Sequence, residues 1–169
     1  MPSSFASPSL DPGRAARSGI AEAILAEGKQ PEEVVEFLSV MASETGCALA
    51  MRVRPRVSAL IRSRLTSRFE LEFNERARTV VVKKSGYIAD RLGRSIGILA
   101  AGTADLPVAE EARVAAELMG CQVMTAYDVG VAGLHRLFGP LREMLERGAD
   151  AIVVVAGMEG ALPPASKQH

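Results

Sequence analysis

Apolar and polar positions along this chain follow two periods, and the switches between them mark its elements. From residue 13 to 27 the period is helical: Ile20, Ala23 and Ile24 fall on one face with the stem of Glu27, and Gly28 is placed to stop the helix. Pro31 opens a second helix at its first turn, where Glu32 and Glu33 suit the positive end of the dipole. Val34, Val35, Leu38 and Met41 form its apolar stripe, and Gly46 ends it. Residues 47–53 are short and apolar, the pattern of a buried strand. Pro55 starts a third helix with Val57, Leu60, Ile61 and Leu65 inward. Phe69, Leu71 and Phe73 then alternate with Glu70 and Glu72, which predicts a half-buried strand, and residues 79–82 predict another. A polar connector, 83–93, closes this small α/β unit.

Residues 95–101 begin a second unit as an apolar strand of the kind covered on both faces. The turn Gly102-Thr103-Ala104-Asp105-Leu106-Pro107 leads into a helix with Val108, Ala112, Ala115 and Met119 at helical spacing and Gly120 as its stop. Pro107 suits the first turn, and Thr103 or Asp105 can cap the free amides. Residues 122–127 predict a strand, and the segment from Asp128 to Arg136 is broken by glycines. A helix over 140–147 and a strand over 149–156 complete the series. Strand, helix, strand, helix, strand describes a parallel sheet wound by right-handed crossovers. Such sheets bind ligands beyond the carboxyl ends of their strands, where all three glycine-bearing segments of this half fall: 102–107, 128–135 and 157–163. Three strands leave an edge open, since a sheet of this kind usually needs about five to close its core.

Composition narrows the function classes. Among 169 residues, 48% are apolar and 24% charged, the balance of a globular protein. Twenty basic residues cancel twenty acidic ones, and only 4% are aromatic, so neither charge nor stacking supports nucleic-acid binding. The two cysteines, Cys47 and Cys121, stand in no metal-ligand spacing and read as buried thiols of a reducing cytoplasm. No apolar run approaches the ~20 residues of a membrane span. The Ser/Pro-rich start has no basic region before an apolar core, so it does not read as a secretion signal; a cytoplasmic protein is expected.

Three motifs carry a family resemblance: 101–112 (AGTADLPVAEEA), 127–136 (YDVGVAGLHR) and 155–163 (VAGMEGALP). In that order they resemble the loops of LarB-type carboxylases, relatives of the purine-pathway carboxylase PurE. Asp11, Arg14, Arg17, Gly19, Glu22, Ile24, Gly28 and Lys29 also stand at that family's spacing, while Ala21 replaces its usual Pro. The resemblance implies an α/β fold, a small N-terminal domain followed by an incomplete flavodoxin-like (PurE-type) sheet of three parallel strands. The expected divisions are a disordered tail 1–11, an N-terminal domain 12–92, a partial PurE-like domain 93–163 and a divergent tail 164–169.

The implied activity belongs to the making of a nickel-pincer nucleotide cofactor of lactate racemase. The substrate would be nicotinic acid adenine dinucleotide, carboxylated on its pyridinium ring by CO2 or bicarbonate and hydrolysed at the phosphoanhydride to release AMP. Mg²⁺ is expected at the pyrophosphate, with no organic cofactor, and homo-oligomers are the family's habit. Gly102, Thr103, Asp105 and Pro107 would cradle the nucleotide, the acidic residue on sugar hydroxyls and the hydroxyl on phosphate. Asp128, Gly130, Gly133 and His135 would form a second wall, with His135 at phosphate or shuttling a proton. Gly157 belongs to the third loop, and Glu159 would take the ring proton after CO2 adds. Bland alternatives stand beside each role: helix caps for Thr103 and Asp105, a packed histidine, a solvated Glu159, and wet surface charges for Arg14, Arg17, Lys29 and Arg136. Family members continue past this point with the segment bearing the cysteine thought to attack the ring, so a catalytically dead or split fragment is an alternative. A PurE-type aminoimidazole ribonucleotide carboxylase is another, against which the long front domain argues.

Overall fold

The computed structural model describes residues 23–130 and 135–157, apart from the side chain of His135. Expectations for the tail 1–11, for Arg14 and Arg17, for Gly133, for Glu159 and for the tail 164–169 lie outside the described residues. The chain divides into two compact units, one running to Glu72 and including Val80–Tyr87, the other made of Phe73–Thr79 and everything from Ile88.

The first unit's elements are β1 (Ala23–Leu25), α1 (Pro31–Thr45), β2 (Cys47–Met51), α2 (Pro55–Leu65), β3 (Glu70–Asn74) and β4 (Thr79–Lys83), except that Phe73, Asn74 and Thr79 belong to the second unit. Its sheet has the order β1-β2-β4-β3. β1 runs parallel to β2, and β4 antiparallel to it. The α1 helix starts at Pro31, with Glu33 accepting the Gln30 N–H at 2.9 Å, and stops at Gly46 in the left-handed region. Val34, Leu38, Met41 and Ala42 of α1 are buried, as are Val57, Ile61 and Leu65 of α2.

The helical reading of 23–27 is corrected: Ala23–Leu25 is a strand. Ala-Ile-Leu-Ala fits period 2 as well as period 3.6, and a partner strand decides. Ala23, Ile24 and Leu25 pair with Leu49, Ala50 and Met51, and the Ala26 N–H continues the ladder to the Met51 carbonyl at 2.9 Å. Ile24 and Ala26 face the core while Ala23 and Leu25 do not.

The second unit contains β5 (Ser95–Ala100), a short 3-10 turn (Thr103–Asp105), α3 (Leu106–Leu118), β6 (Gln122–Ala126), α4 (His135–Glu146) and β7 (Ala151–Val155). Its sheet is fully parallel with the order β6-β5-β7, matching the expected three-stranded α/β arrangement. Alternation along β5 divides the core into two layers. Ile98 and Ala100 pack with Ala109 and Leu106 of α3. Leu99 packs with Leu137, Leu141 and Met144 of α4. Helices therefore cover opposite faces, and β5, central and covered on both, is fully buried from Ile98 to Ala100.

Two helix expectations shift. In α3 the buried residues are Ala109, Val114 and Ala116, with Leu106 and Ala112 partly buried against the core, while Val108 is 54% exposed. In α4 the helix begins at His135, not at Pro140, which sits inside it. Proline disfavours a helix interior by about 3 kcal/mol. Burial of Leu137 together with Leu141 and Met144, one continuous stripe, outweighs that cost.

Gly97 faces α4 from the central strand. A Cβ there would lie 2.6 Å from Ile152 Cδ1 and 2.6 Å from Met144 Sδ. Both atoms end flexible side chains, so Gly97→Ala is expected to lower stability by about 1–2 kcal/mol rather than abolish folding. Urea unfolding of the variant measures this, and a neutral result would show that the α4 layer has slack.

Candidate functional site

The three loops of interest begin where the parallel strands end. The β5-to-β6 connection moves to one edge of the sheet, and the β6-to-β7 connection returns past β5 to the other, so the order reverses beside β5. The switch point lies between β5 and β7, the place where open parallel sheets bind ligands. The Val129 N–H donates to the Ala100 carbonyl at 3.1 Å, and the Ala101 N–H to the Val155 carbonyl at 2.9 Å. The starts of all three loops are therefore held around the carboxyl end of β5.

Asp105 is the most connected residue at this end. Its Oδ2 accepts the Gly102 N–H at 3.0 Å, and its Oδ1 accepts the Gly157 N–H at 2.9 Å. Its side chain makes no cap on α3. Thr103 is exposed in the 3-10 turn, and Pro107 is exposed in the first turn of α3. Asp128 takes a left-handed backbone, φ 61°, and pairs with Arg136 at 3.1 Å, both side chains more than half exposed. Gly130 is glycine for a packing reason, because a Cβ there would lie 2.8 Å from the Ala101 carbonyl oxygen. Gly102, Thr103, Asp105, Pro107, Asp128, Gly130 and Gly157 thus share one end of the sheet. His135 starts α4 at the same end, its side chain outside the described residues. Lys29 lies in the turn after β1, in the first unit.

A polar network to which the loop motifs give no role lies beside these loops. Glu110 of α3 accepts from Arg113 at 2.9 Å, from the Tyr127 hydroxyl at 2.5 Å and from Asn74 Nδ2 at 2.7 Å. Arg113 also reaches Glu117 at 2.7 Å. The Arg113 guanidinium holds the Glu110 carboxyl down at about 2; Tyr127 and Asn74 add to this while burial opposes it. Burial, then Glu110, pushes the Tyr127 hydroxyl up to about 12, so it stays a neutral donor at physiological pH. The signal in the sequence is Glu110, Arg113 and Glu117, spaced three and four residues apart on one helix face. The tertiary partners, Tyr127 and Asn74, are not visible there. Since Tyr127 immediately precedes Asp128, the network anchors the root of the second loop.

Cys121 does not belong to this end. Cys47 is buried at the start of β2 in the first unit, and Cys121 precedes β6 at the amino end of the second sheet. Among the described residues no group of three His, Cys, Asp or Glu could hold a metal ion, so they build no protein cage for a divalent cation. No helix of the described residues is long and apolar enough to cross a membrane.

This geometry defines an open, doubly wound α/β unit with its loops gathered at a switch point. Residues 4–84 match the model of the LarB/PurE-like N-terminal domain, which supports a LarB/PurE-related, carboxylase-related family. The chain is also 41% identical over 156 residues to uncharacterized protein MJ0165 of Methanocaldococcus jannaschii. The match takes in 91% of this chain and 60% of that relative, so the chain spans about 60% of the relative's length.

Proposed function

We propose that this chain carries the dinucleotide-binding part of a LarB-type carboxylase and hydrolase acting on nicotinic acid adenine dinucleotide. One observation carries the reading: the starts of three loops lie together at the carboxyl end of β5 in a parallel sheet, in a chain whose residues 4–84 match the LarB/PurE-like N-terminal domain. In this reading Gly102, Thr103 and Pro107 form one wall of the site, Asp128, Gly130 and Gly133 a second, and Gly157 the rim of the third. The amino ends of α3 and α4 lie at the same end of the sheet. Glu159 and His135 are the acid–base groups, Glu159 taking the ring proton after CO2 adds. The expected Mg²⁺ would travel on the dinucleotide's phosphates, which need only one or two protein carboxylates.

A second reading, binding without turnover, is favoured by the cysteine positions. Activating the electron-poor ring toward CO2 calls for a nucleophile, and the thiol of the second unit, Cys121, lies at the amino end of its sheet, away from the loops. The experiment mixes the purified protein with nicotinic acid adenine dinucleotide, bicarbonate and Mg²⁺, and follows AMP and carboxylated mononucleotide by mass spectrometry, with calorimetric titration of the dinucleotide in parallel. Both products support the full reaction, and AMP without carboxylation reduces the proposal to a hydrolase. Binding with neither product supports the second reading. Failure to bind the dinucleotide, by a protein that unfolds cooperatively, sinks both.

A further inference from the structure

We propose that Tyr127 is a positioning residue: together with Val129 it clamps the backbone on both sides of Asp128, and so sets the Asp128 carboxylate at the end of the sheet where the three loops start. Side chains along β6 alternate between the two helical layers. Val123 and Tyr127 pack on the α3 side with Ile98, Ala100 and Ala109, while Met124 and Ala126 pack on the α4 side. In extended backbone, residues two apart share a face. Val129 should therefore follow Tyr127 to the α3 side. Instead it is 3% exposed in the α4 layer, among Leu99, Leu137, Leu141 and Met144. The alternation breaks at the residue between them, Asp128, which takes the left-handed backbone, φ 61°.

Each flank is fixed independently. The Tyr127 hydroxyl donates to Glu110 at 2.5 Å, and Glu110 is itself held by Arg113 and by Asn74 of the same unit. On the other flank the Val129 N–H donates to the Ala100 carbonyl at 3.1 Å. A left-handed backbone is strained for a residue with a Cβ, and it persists where the surroundings over-determine it. The Asp128–Arg136 pair does not supply that constraint. Both side chains are more than half exposed, and a surface pair of that kind contributes too little to hold strained backbone. The buried Val129 and the bond from Tyr127 to an ionised carboxylate do supply it. The Asp128 carboxylate, 66% exposed, is thereby oriented before any ligand arrives, which lowers the ordering cost of binding. This effect on binding rests on the proposed dinucleotide site; the clamp itself does not.

The test uses Tyr127→Phe, Asp128→Gly and the double variant of the full chain, each first shown to unfold cooperatively. Tyr127→Phe keeps the ring and removes only the hydroxyl. Asp128→Gly removes the carboxylate and accepts the left-handed backbone without strain. Amide exchange followed by NMR, without ligand and corrected for intrinsic rates, reads the clamp directly. In Tyr127→Phe the Val129 amide is expected to exchange about tenfold faster, while the Ala101 amide, bonded to Val155, changes less. An unchanged Val129 rate overturns the clamp. Equal acceleration of both amides also overturns it, because the hydroxyl would then support the whole unit and not this kink. Titration with nicotinic acid adenine dinucleotide reads positioning. Each single variant should weaken binding, and the double should bind no more weakly than Asp128→Gly alone. Weaker binding still in the double would mean that Tyr127 acts by a route other than Asp128, against the proposal. Unchanged affinity in either single variant would likewise defeat the positioning role. If the unaltered protein binds no dinucleotide, the functional reading fails, and the clamp is decided by amide exchange.

Discussion

Gly120→Ala is expected to destabilise the second unit by about 3–5 kcal/mol, several times the cost of the same change at Gly148. Both glycines close a helix in the left-handed region, with φ of 80° and 75°. Both use the same cap: Gly120 N–H donates to Glu117 and Cys121 N–H to Ala116, as Gly148 does to Leu145 and Ala149 to Met144. Each substitution therefore carries the same backbone strain, about 1 kcal/mol. The surroundings differ. A Cβ at 148 meets nothing within 4 Å, whereas a Cβ at 120 would lie 1.8 Å from the Asp90 carbonyl oxygen and 3.3 Å from Leu92 N. The chain at 90–92 would have to lift away, and the Leu92 N–H to Gly120 carbonyl bond, 3.2 Å, would go with it. Urea denaturation of the two variants side by side isolates this second contribution. Equal losses would show that the connector yields freely and that only strain matters.

Removing the Glu110 charge should cost about 2–3 kcal/mol at neutral pH, and the cost should vanish in acid. Only 13% of the Glu110 side chain is exposed, and it is the hub for Arg113, Tyr127 and Asn74. Glu110→Gln keeps the shape but leaves Arg113 with Glu117 as its remaining acidic partner. The sign follows from the direction of the shift. A carboxyl lowered from 4.5 to about 2 in the folded state stabilises fully above its unfolded value and loses that contribution as pH falls from 4.5 through 2. The difference in unfolding free energy between the original protein and Glu110→Gln should thus be flat from pH 7 to about 5 and shrink steadily below that. Other carboxylates titrate in both proteins and cancel in the difference. A gap that stays constant down to about pH 2.5 would mean that geometry, and not charge, is what the network supplies.

The elements with strong punctuation are legible in the order of residues alone. Pro31 and Gly46 bracket α1, Pro55 opens α2, Gly120 closes α3, and the apolar runs at 47–51, 79–83 and 95–100 are strands. Proline and glycine act through their own backbones, so their meaning survives any tertiary context. Segments lacking such marks are decided elsewhere. Ala23–Leu25 is a strand because β2 offers it a ladder, and α4 runs back through Pro140 because Leu137 has a core to enter.

The same division holds at the candidate site. Local order in the chain, strand then loop then helix, determined that the three glycine-bearing segments would follow the carboxyl ends of parallel strands, because each crossover returns the chain in the same direction, so all three ends fall on one side. Which atoms meet there was a tertiary decision. Asp105 reads locally as a helix cap, yet its carboxylate spans to Gly157; Gly130 reads as a ligand-approach glycine, yet it makes room for the Ala101 carbonyl. Glu110 and Tyr127 become partners only when α3 lies against β6. Sequence pattern governs interactions within a turn or a strand, whereas a hydrogen bond between residues tens of positions apart exists only after the sheet has brought them within about 3 Å.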